Sequence, residues 1–393
     1  MKKRRLLIAG GGYADIPLIL AAKKLGYHVI TSGNRPDELG HRHSDHYEPA
    51  DFSDAEAMLA LAQHLKIDAI VPCCNDFSAL SSAYVAHRLD LPGHDACETS
   101  MIIHHKDSYR DFALAHGIPA PKAKAIECVV QAMHEAASLR LPIIVKPVDL
   151  TGGKGMTKVR SAEEVPPAVE KALQASRAKR VVIEEFLSGS RHGFSTFIRD
   201  GRVVFYFSDN EHYFLNPFLV SAASAPGDVS PSVEKTLCGW IEKIASRLSL
   251  VTGIVHVQYM LRGDGPVIIE ICRRAPGDLY VRWVELATGV PYAEWILRAF
   301  AGLDCSDVTM VGPKGFTTRH CVMSAKPGRV KDVVFDASIK KNVIDRLMWW
   351  KPGDPVTDVL TSKFGIVFLR FDSREEMLDK TERMQQLIRV ETE

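Results

Sequence analysis

The sequence predicts an α/β and α+β multidomain fold whose first part is a doubly wound parallel sheet. Three observations carry that expectation. Over the first hundred residues, apolar strands alternate with helical stretches of about ten residues, the pattern of βαβ units. Farther on, two alternating apolar runs flank Gly263-Asp264-Gly265, which makes an antiparallel hairpin. Beyond about residue 306 the chain shifts to a smaller set of strands, a Pro-Gly turn and one terminal helix. A length of 393 residues accommodates about two to four such units.

Arg4 to Ala9 is a buried strand by its apolar run, and Gly10-Gly11-Gly12 leads from it into a helix near Asp15 to Leu25, closed by Gly26. Tyr27 to Thr31 is a second strand, Ala55 to Leu65 a helix, and Ile67 to Pro72 another strand. The glycine run is not a dinucleotide fingerprint, because Tyr13-Ala14-Asp15 follows with no third glycine in register. It serves either a tight turn or close approach to a small substrate at the mouth of the sheet. His41, His43 and His46 lie in a loop-like stretch and are expected on the surface rather than around a metal.

Lys106-Asp107 opens a helix that runs to about His116, closed by Gly117 and stopped by Pro119 and Pro121. Leu141 to Pro147 is an apolar strand that ends in Lys146, and the loop Thr151-Gly152-Gly153-Lys154-Gly155-Met156 follows before a short strand, Thr157 to Val159. Backbone N–H groups of such a loop approach phosphate oxygens closely, and the lysine adds charge. It is not a Walker loop, since G-x-x-x-x-G-K-[ST] is absent and a strand follows. Val181 to Leu187 is a strand bounded by Ser188-Gly189-Ser190. Its adjacent acids, Glu184 and Glu185, admit two readings: an edge strand charged against aggregation, or a hinge that reads an adenine edge.

In the hairpin, Val255 to Leu261 pairs with Val267 to Cys272. With Asp264 as the apex, Gln258 opposes Glu270 and His256 opposes Cys272. One face then carries those four residues, and the other carries Val255, Val257, Tyr259, Leu261, Val267, Ile269 and Ile271. An apolar face behind a carboxamide and a carboxylate is a rigid platform offering oxygen ligands to a hard cation such as Mg²⁺. Arg273 and Arg274 follow at once, which makes anionic phosphate the natural companion.

Substrate choice is expected beyond the hairpin. Ala275-Pro276-Gly277-Asp278 can turn with N–H groups exposed to a carboxylate, Gly277 among them. Arg282 suits either a carboxylate clamp or a surface ion pair. The aromatic loop from Asn210 to Phe218 suits either a pocket lining or packing. Gly315 to Met323, Gly328 to Phe335 and Gly365 to Phe371 are strands, Lys351 to Asp354 is a turn, and Ser373 with Glu376 forms a capping box on the last helix.

Composition excludes several classes. A net charge of +1 gives no basic excess for nucleic acid, and the longest apolar runs are strand-sized, so no membrane span is expected. After the basic start Met1-Lys2-Lys3-Arg4-Arg5 the apolar part is too short for a signal peptide. The eight cysteines contain no C-x-x-C pair and fit reduced thiols, so a cytoplasmic setting is expected.

Taken in order, Lys106, Val145-Lys146-Pro147, Thr151 to Met156, Glu184 to Leu187, Gln258, Ile269-Glu270 and Arg274 resemble the ATP-grasp superfamily. Within it, the resemblance is to carboxylate–amine ligases, the L-amino-acid (dipeptide) ligase and biotin-carboxylase-like branch. It implies an N-terminal domain over residues 1–98, an ATP-grasp domain over 99–305 with a mobile lid at about 122–187, and a C-terminal α+β domain over 306–393. It assigns Lys106 and Lys146 to the ATP phosphates and Gly152, Gly153 and Gly155 to the lid loop. Glu184 would face the adenine amino group, the backbone around Glu185 and Leu187 the ring, and His192 the ribose. Gln258 and Glu270 would hold Mg²⁺, for which Mn²⁺ can substitute, while Arg274, Lys146 and Lys154 would steady the transferred phosphoryl group. Two positions depart from the family pattern. Cys272 stands where a metal-binding Asn is usual, and Phe194 stands in place of an acid.

The implied reaction phosphorylates a small carboxylate, such as an amino acid, to an acyl phosphate that an amine then attacks, releasing ADP and phosphate. Partners are small-molecule acid and amine, with a homodimer admitted. The alternatives are bicarbonate as the acid, or a nucleotide-binding regulatory protein without turnover.

Overall fold

Four short strands, Arg5–Ala9, His28–Gly33, His46–Pro49 and Ala69–Pro72, hydrogen-bond in parallel around Arg5–Ala9. The structure is a computed structural model and describes residues 3–263 and 265–393. The expected apex Asp264 and the first two residues of the basic start lie outside the described residues. Helices Ile16–Lys24, Ala55–Leu65 and Asp76–Leu89 cover the parallel sheet, as alternating βαβ units require. His46–Pro49 is a strand within a stretch expected to be loop. His41 is not on the surface either: it is buried, its Nδ1 lies 2.9 Å from Thr31 Oγ1, and it packs over Gly11. A Cβ on Gly11 would fall 2.1 Å from that ring, so the glycine run is needed for close packing here.

A second sheet of four antiparallel strands occupies the segment expected as a lid, in the order Ala123–Ile126, Val181–Glu185, Ile143–Pro147, Thr157–Val159. Helices Val129–Ala136 and Val165–Ala175 pack on one side of it and complete a core of its own.

The largest sheet has eight antiparallel strands. Its order is Gly265–Cys272, Gly253–Arg262, Ser190–Arg199, Arg202–His212, Ala222–Ala225, Phe316–Met323, Lys363–Phe371 and Val343–Met348. The last three strands come from beyond residue 306, so the sheet runs without a break across the expected boundary there. What is separate about the C-terminal part is its core, built from residues such as Val330, Phe364, Met377 and Ile388. The N-terminal part is also joined to the rest through a shared core, in which Ile19 and Val29 meet Trp283 and Ile296. On one face of the large sheet the helix Pro231–Leu248 buries Leu237, Ile241 and Ile244 against Val255, Val257 and Phe194. The opposite face is divided: Phe205 and Phe207 pack against Trp295 and Trp283 of the helices Tyr292–Phe300 and Tyr280–Thr288, and the remainder lines a cavity.

Candidate active site

One cavity of about 720 Å³ lies where the N-terminal sheet, the lid region and the large sheet meet. Its floor is the hairpin face foreseen from the sequence, with Gln258 paired to Glu270 and His256 to Cys272. The route to that register differs from the expected one. Near the turn, Arg262↔Gly265, Met260↔Val267 and Tyr259↔Ile268 pair one residue short of symmetry about residue 264, and a β-bulge absorbs Ile269 before Gln258↔Glu270. The bulge reverses which side chains beyond it face the core. Ile268 is fully buried, whereas Val267 and Ile269, expected on the apolar face, are half-buried, and Ile269 lines the cavity.

Four cations converge at one end. Lys106 Nζ donates to Leu150 O at 2.6 Å and lies 3.2 Å from Glu270 Oε1. Lys146, at the end of Ile143–Pro147, is buried and donates to Glu184 Oε2 at 2.6 Å. Arg110, one helical turn after Lys106, reaches Glu184 Oε1 at 2.8 Å and Ile269 O at 2.6 Å. Arg274 is held by Asp76 Oδ1 at 2.9 Å, the atom that His104 Nδ1 also approaches at 2.9 Å. Burial alone would raise the Glu184 carboxyl, but Arg110 and Lys146 carry it below the ordinary range, so it stays ionised. Two buried cations against one buried anion leave a unit of positive charge under this end of the cavity.

This corrects the reading of Glu184. Its carboxylate is fully buried and taken by Lys146 and Arg110, so only its backbone is available to an adenine edge. Glu185, Phe186 and Leu187 line the cavity beside it, with Lys158 3.5 Å above the Phe186 ring. Gly152, Gly153 and Lys154 line the cavity from the lid side. All three loop glycines have positive φ, at 67°, 75° and 69°, where side chains are strained. Gly155 does not line the cavity: a Cβ there would meet Pro147 Cγ at 2.8 Å, so it serves the packing of the loop on its own sheet.

His192 is not brought to the site. Along Ser190–Arg199 even-numbered residues such as Phe194 and Ile198 face the core under Pro231–Leu248, and odd-numbered ones the opposite side, where Arg191 reaches the cavity and Phe197 packs against Trp295. His192 therefore stacks on buried Tyr259 at 5.2 Å, while Arg191 lines the cavity in its place. Phe194 follows the same parity. It is fully buried and stacked on Tyr206, so its lack of charge belongs to the core and takes nothing from the cavity.

Gln258 and Glu270 suit a hard cation. Gln258 Nε2 donates to Glu211 Oε1 at 2.5 Å, which leaves the amide oxygen as the atom to coordinate. Among the described residues no three His, Cys, Asp or Glu side chains form a metal cluster. A site of one carboxylate and one amide oxygen fits Mg²⁺, a hard cation that is commonly held by one or two carboxylates and keeps several waters. Cys272 is buried, and burial pushes its thiol up to about 11, so it stays protonated and supplies no anionic ligand.

At the far end, Gly277 lines the cavity but Arg282 does not. Arg282 lies against Asp345, with Nη2 2.9 Å and Nε 3.0 Å from Oδ2, so the clamp reading is corrected to an ion pair. With 44% of its side chain exposed, Arg282→Ala is expected to cost less than about 1 kcal/mol and leave substrate affinity unchanged, measured by denaturation and by titration. The charged residues at this end were not read from the sequence. Asp278 Oδ1 accepts from Tyr13 Oη at 2.6 Å and Lys363 Nζ at 2.6 Å, and Arg319 Nη1 lies 3.6 Å from Asp278 Oδ2. Burial opposes ionisation of Asp278, but Lys363 and Arg319 hold its carboxyl far below the ordinary range. Tyr13 also stacks on Trp349 at 4.3 Å, tying the first domain to the last strands. Asp209, Glu211 and Tyr213 complete this wall; the aromatic segment flagged in the sequence holds Glu211 and Tyr213, whereas Asp209 lies just before it.

Known proteins resemble this chain in sequence and in fold. Residues 106–306 match the family described as Carbamoyl-phosphate synthase L chain, ATP binding domain. The chain is 25% identical over 320 residues to the carbamoyl phosphate synthase large chain of Campylobacter jejuni, covering 76% of this chain and 28% of that one. It spans less than half the length of the curated relatives it matches. Among solved structures, the L-amino acid ligase from Bacillus licheniformis superposes with a TM-score of 0.80 at 18% identity, over 100% of both chains. The biotin carboxylase domain of the Hydrogenobacter thermophilus 2-oxoglutarate carboxylase, solved with MgADP and bicarbonate, superposes at 0.79 and 15% identity. That match covers 100% of this chain and 91% of the other. At such identities the likeness establishes the fold. The family match spans just over half of the residues, Lys106 and Arg274 both within it, and the chain belongs to this ATP-grasp family.

Proposed function

We propose that the chain is an ATP-dependent ligase that activates a small carboxylate as its acyl phosphate and joins it to an amine. The observation that carries this reading is the convergence of Lys106, Lys146, Lys154 and Arg274 with Gln258 and Glu270 around one cavity. Phosphoryl transfer asks little covalent chemistry of a protein and much positioning and neutralisation of charge. Lys106, Lys146 and Arg274 are the cations placed for the phosphates, each held by a partner that keeps it in position before substrate arrives. The lid loop carrying Lys154 closes over them and excludes water from the acyl phosphate. Gln258 and Glu270 would hold Mg²⁺, which would supply positive charge to offset that of the phosphates, and Mn²⁺, which also takes oxygen ligands, would substitute. A cytoplasmic setting follows from the ATP requirement and the eight free cysteines.

The test is a panel of amino acids, other carboxylates and bicarbonate with ATP, Mg²⁺ and hydroxylamine. Substrate-dependent ADP with matching hydroxamate is the expected result, abolished by EDTA and restored by Mg²⁺ or Mn²⁺. ADP release with bicarbonate alone would move the reading to the carboxylating alternative. Nucleotide binding with no ADP from any acid would make the chain a regulatory module.

A further inference from the structure

The cavity wall opposite the cations holds a carboxylate that the ligase reading above leaves without a task. Asp209 lies on Arg202–His212, is 1% exposed and lines the cavity. The register places it in a row across the sheet: Asp209 opposes Gly193, Gly193 opposes Gln258, and Gln258 opposes Glu270. With strands about 4.8 Å apart, Asp209 sits on the order of 10 Å from Gln258. Gly193 is the one position in the row without a side chain. A Cβ there would lie 2.7 and 2.8 Å from the two Asp209 carboxylate oxygens, so the acid occupies space that only glycine leaves open.

The neighbouring acids are already engaged. Asp278 accepts from Lys363 and Tyr13, and Glu211 from Gln258 and Tyr213. Asp209 receives the Tyr280 hydroxyl from the helix Tyr280–Thr288. The other charged groups facing it are Glu211 on its own strand and Arg319 on Phe316–Met323. Arg319 Nε is buried without a hydrogen-bond partner among the described residues.

We propose that Asp209 is the proton acceptor for the incoming amine, an assignment that rests on the ligase reading above. The acceptor arrives as an ammonium, and the Asp209 carboxylate takes one of its protons. The freed nitrogen pair forms the C–N bond at the acyl carbon, and the C–O bond to phosphate breaks with its electrons on the departing oxygen. The second nitrogen proton leaves with the phosphate as hydrogen phosphate, and Asp209 returns its proton to solvent. Burial and the nearby Glu211 raise the Asp209 carboxyl to about 7, against the lowering pull of Tyr280 and Arg319, which suits proton exchange at neutral pH.

Hydroxylamine tests this directly, because it is already unprotonated at neutral pH and needs no base. With the acid identified by the hydroxamate panel and free amino acids as acceptors, Asp209→Asn is expected to lower the ratio of amine ligation to hydroxamate formation by about 10²-fold or more. Ligation by the unaltered chain should show an acidic limb near pH 7 that hydroxamate formation lacks. Tyr280→Phe removes a group that lowers the acid and should move that limb upward. Equal loss of both reactions in Asp209→Asn, or an acidic limb that persists in it, would overturn the assignment while leaving the ligase reading intact. If the unaltered chain forms neither product, it is the ligase reading that fails, and the assignment with it.

Discussion

Glu184→Gln is expected to destabilise the protein by about 3–5 kcal/mol, the cost of leaving buried charge without its partner. The carboxylate is fully buried and is the shared anion of Lys146 and Arg110, at 2.6 and 2.8 Å. Glutamine keeps the shape and removes the charge, so two largely buried cations are left facing each other. The same pair predicts a pH dependence. Because the folded chain holds Glu184 below its ordinary 4.5, its contribution is present above that value and is lost as pH falls through the lowered one. Denaturant midpoints of both forms at pH 7 and at pH 3 provide the check: the gap should be widest at pH 7 and narrow on acidification. Adding Lys146→Met to Glu184→Gln should recover part of the loss, since the second substitution removes an orphaned charge. A midpoint at pH 7 that does not move would contradict the buried-triad account.

Glu270→Gln is expected to lower turnover by at least about 10²–10³-fold, the scale of losing one preorganised electrostatic group, without a large change in stability. Glu270 is half-buried, and its recorded partner is Lys106 at 3.2 Å, so little packing depends on its charge. Its proposed work is at the cation, and the loss should be partly offset by raising Mg²⁺. Steady-state rates across a Mg²⁺ series read this out, alongside nucleotide affinity without metal, which should fall little. A rate unaffected by the substitution would remove Glu270 from the metal site.

Much of the frame was legible before any coordinates. The helix Ala55–Leu65 occupies the expected residues, and the helix from Lys106 and the strand Gly328–Phe335 lie where the apolar period and the flanking glycines placed them. Gln258 does oppose Glu270, although the pairing was reached from a symmetric turn and the chain achieves it through a bulge at Ile269. Arg110 had a legible signal, being four residues after Lys106 on one helix face, and it went unread. His192 was misplaced by one step of strand alternation, a parity set by the neighbouring strands more than by its own sequence.

Local pattern was enough for the strands, the turns, the glycine loop and the family resemblance, because period and glycine placement act over a few residues. The far end of the cavity is different. Tyr13, Asp278, Arg319 and Lys363 come from the first glycine turn, the segment after the hairpin and two C-terminal strands, and they meet because those strands extend the same sheet. Likewise, Glu184 reads as one of two surface acids until Lys146 and Arg110 are packed on it. Which charges neutralise one another depends on contacts between chain segments that share no local signal, so these partnerships became visible only once the folded chain brought them together.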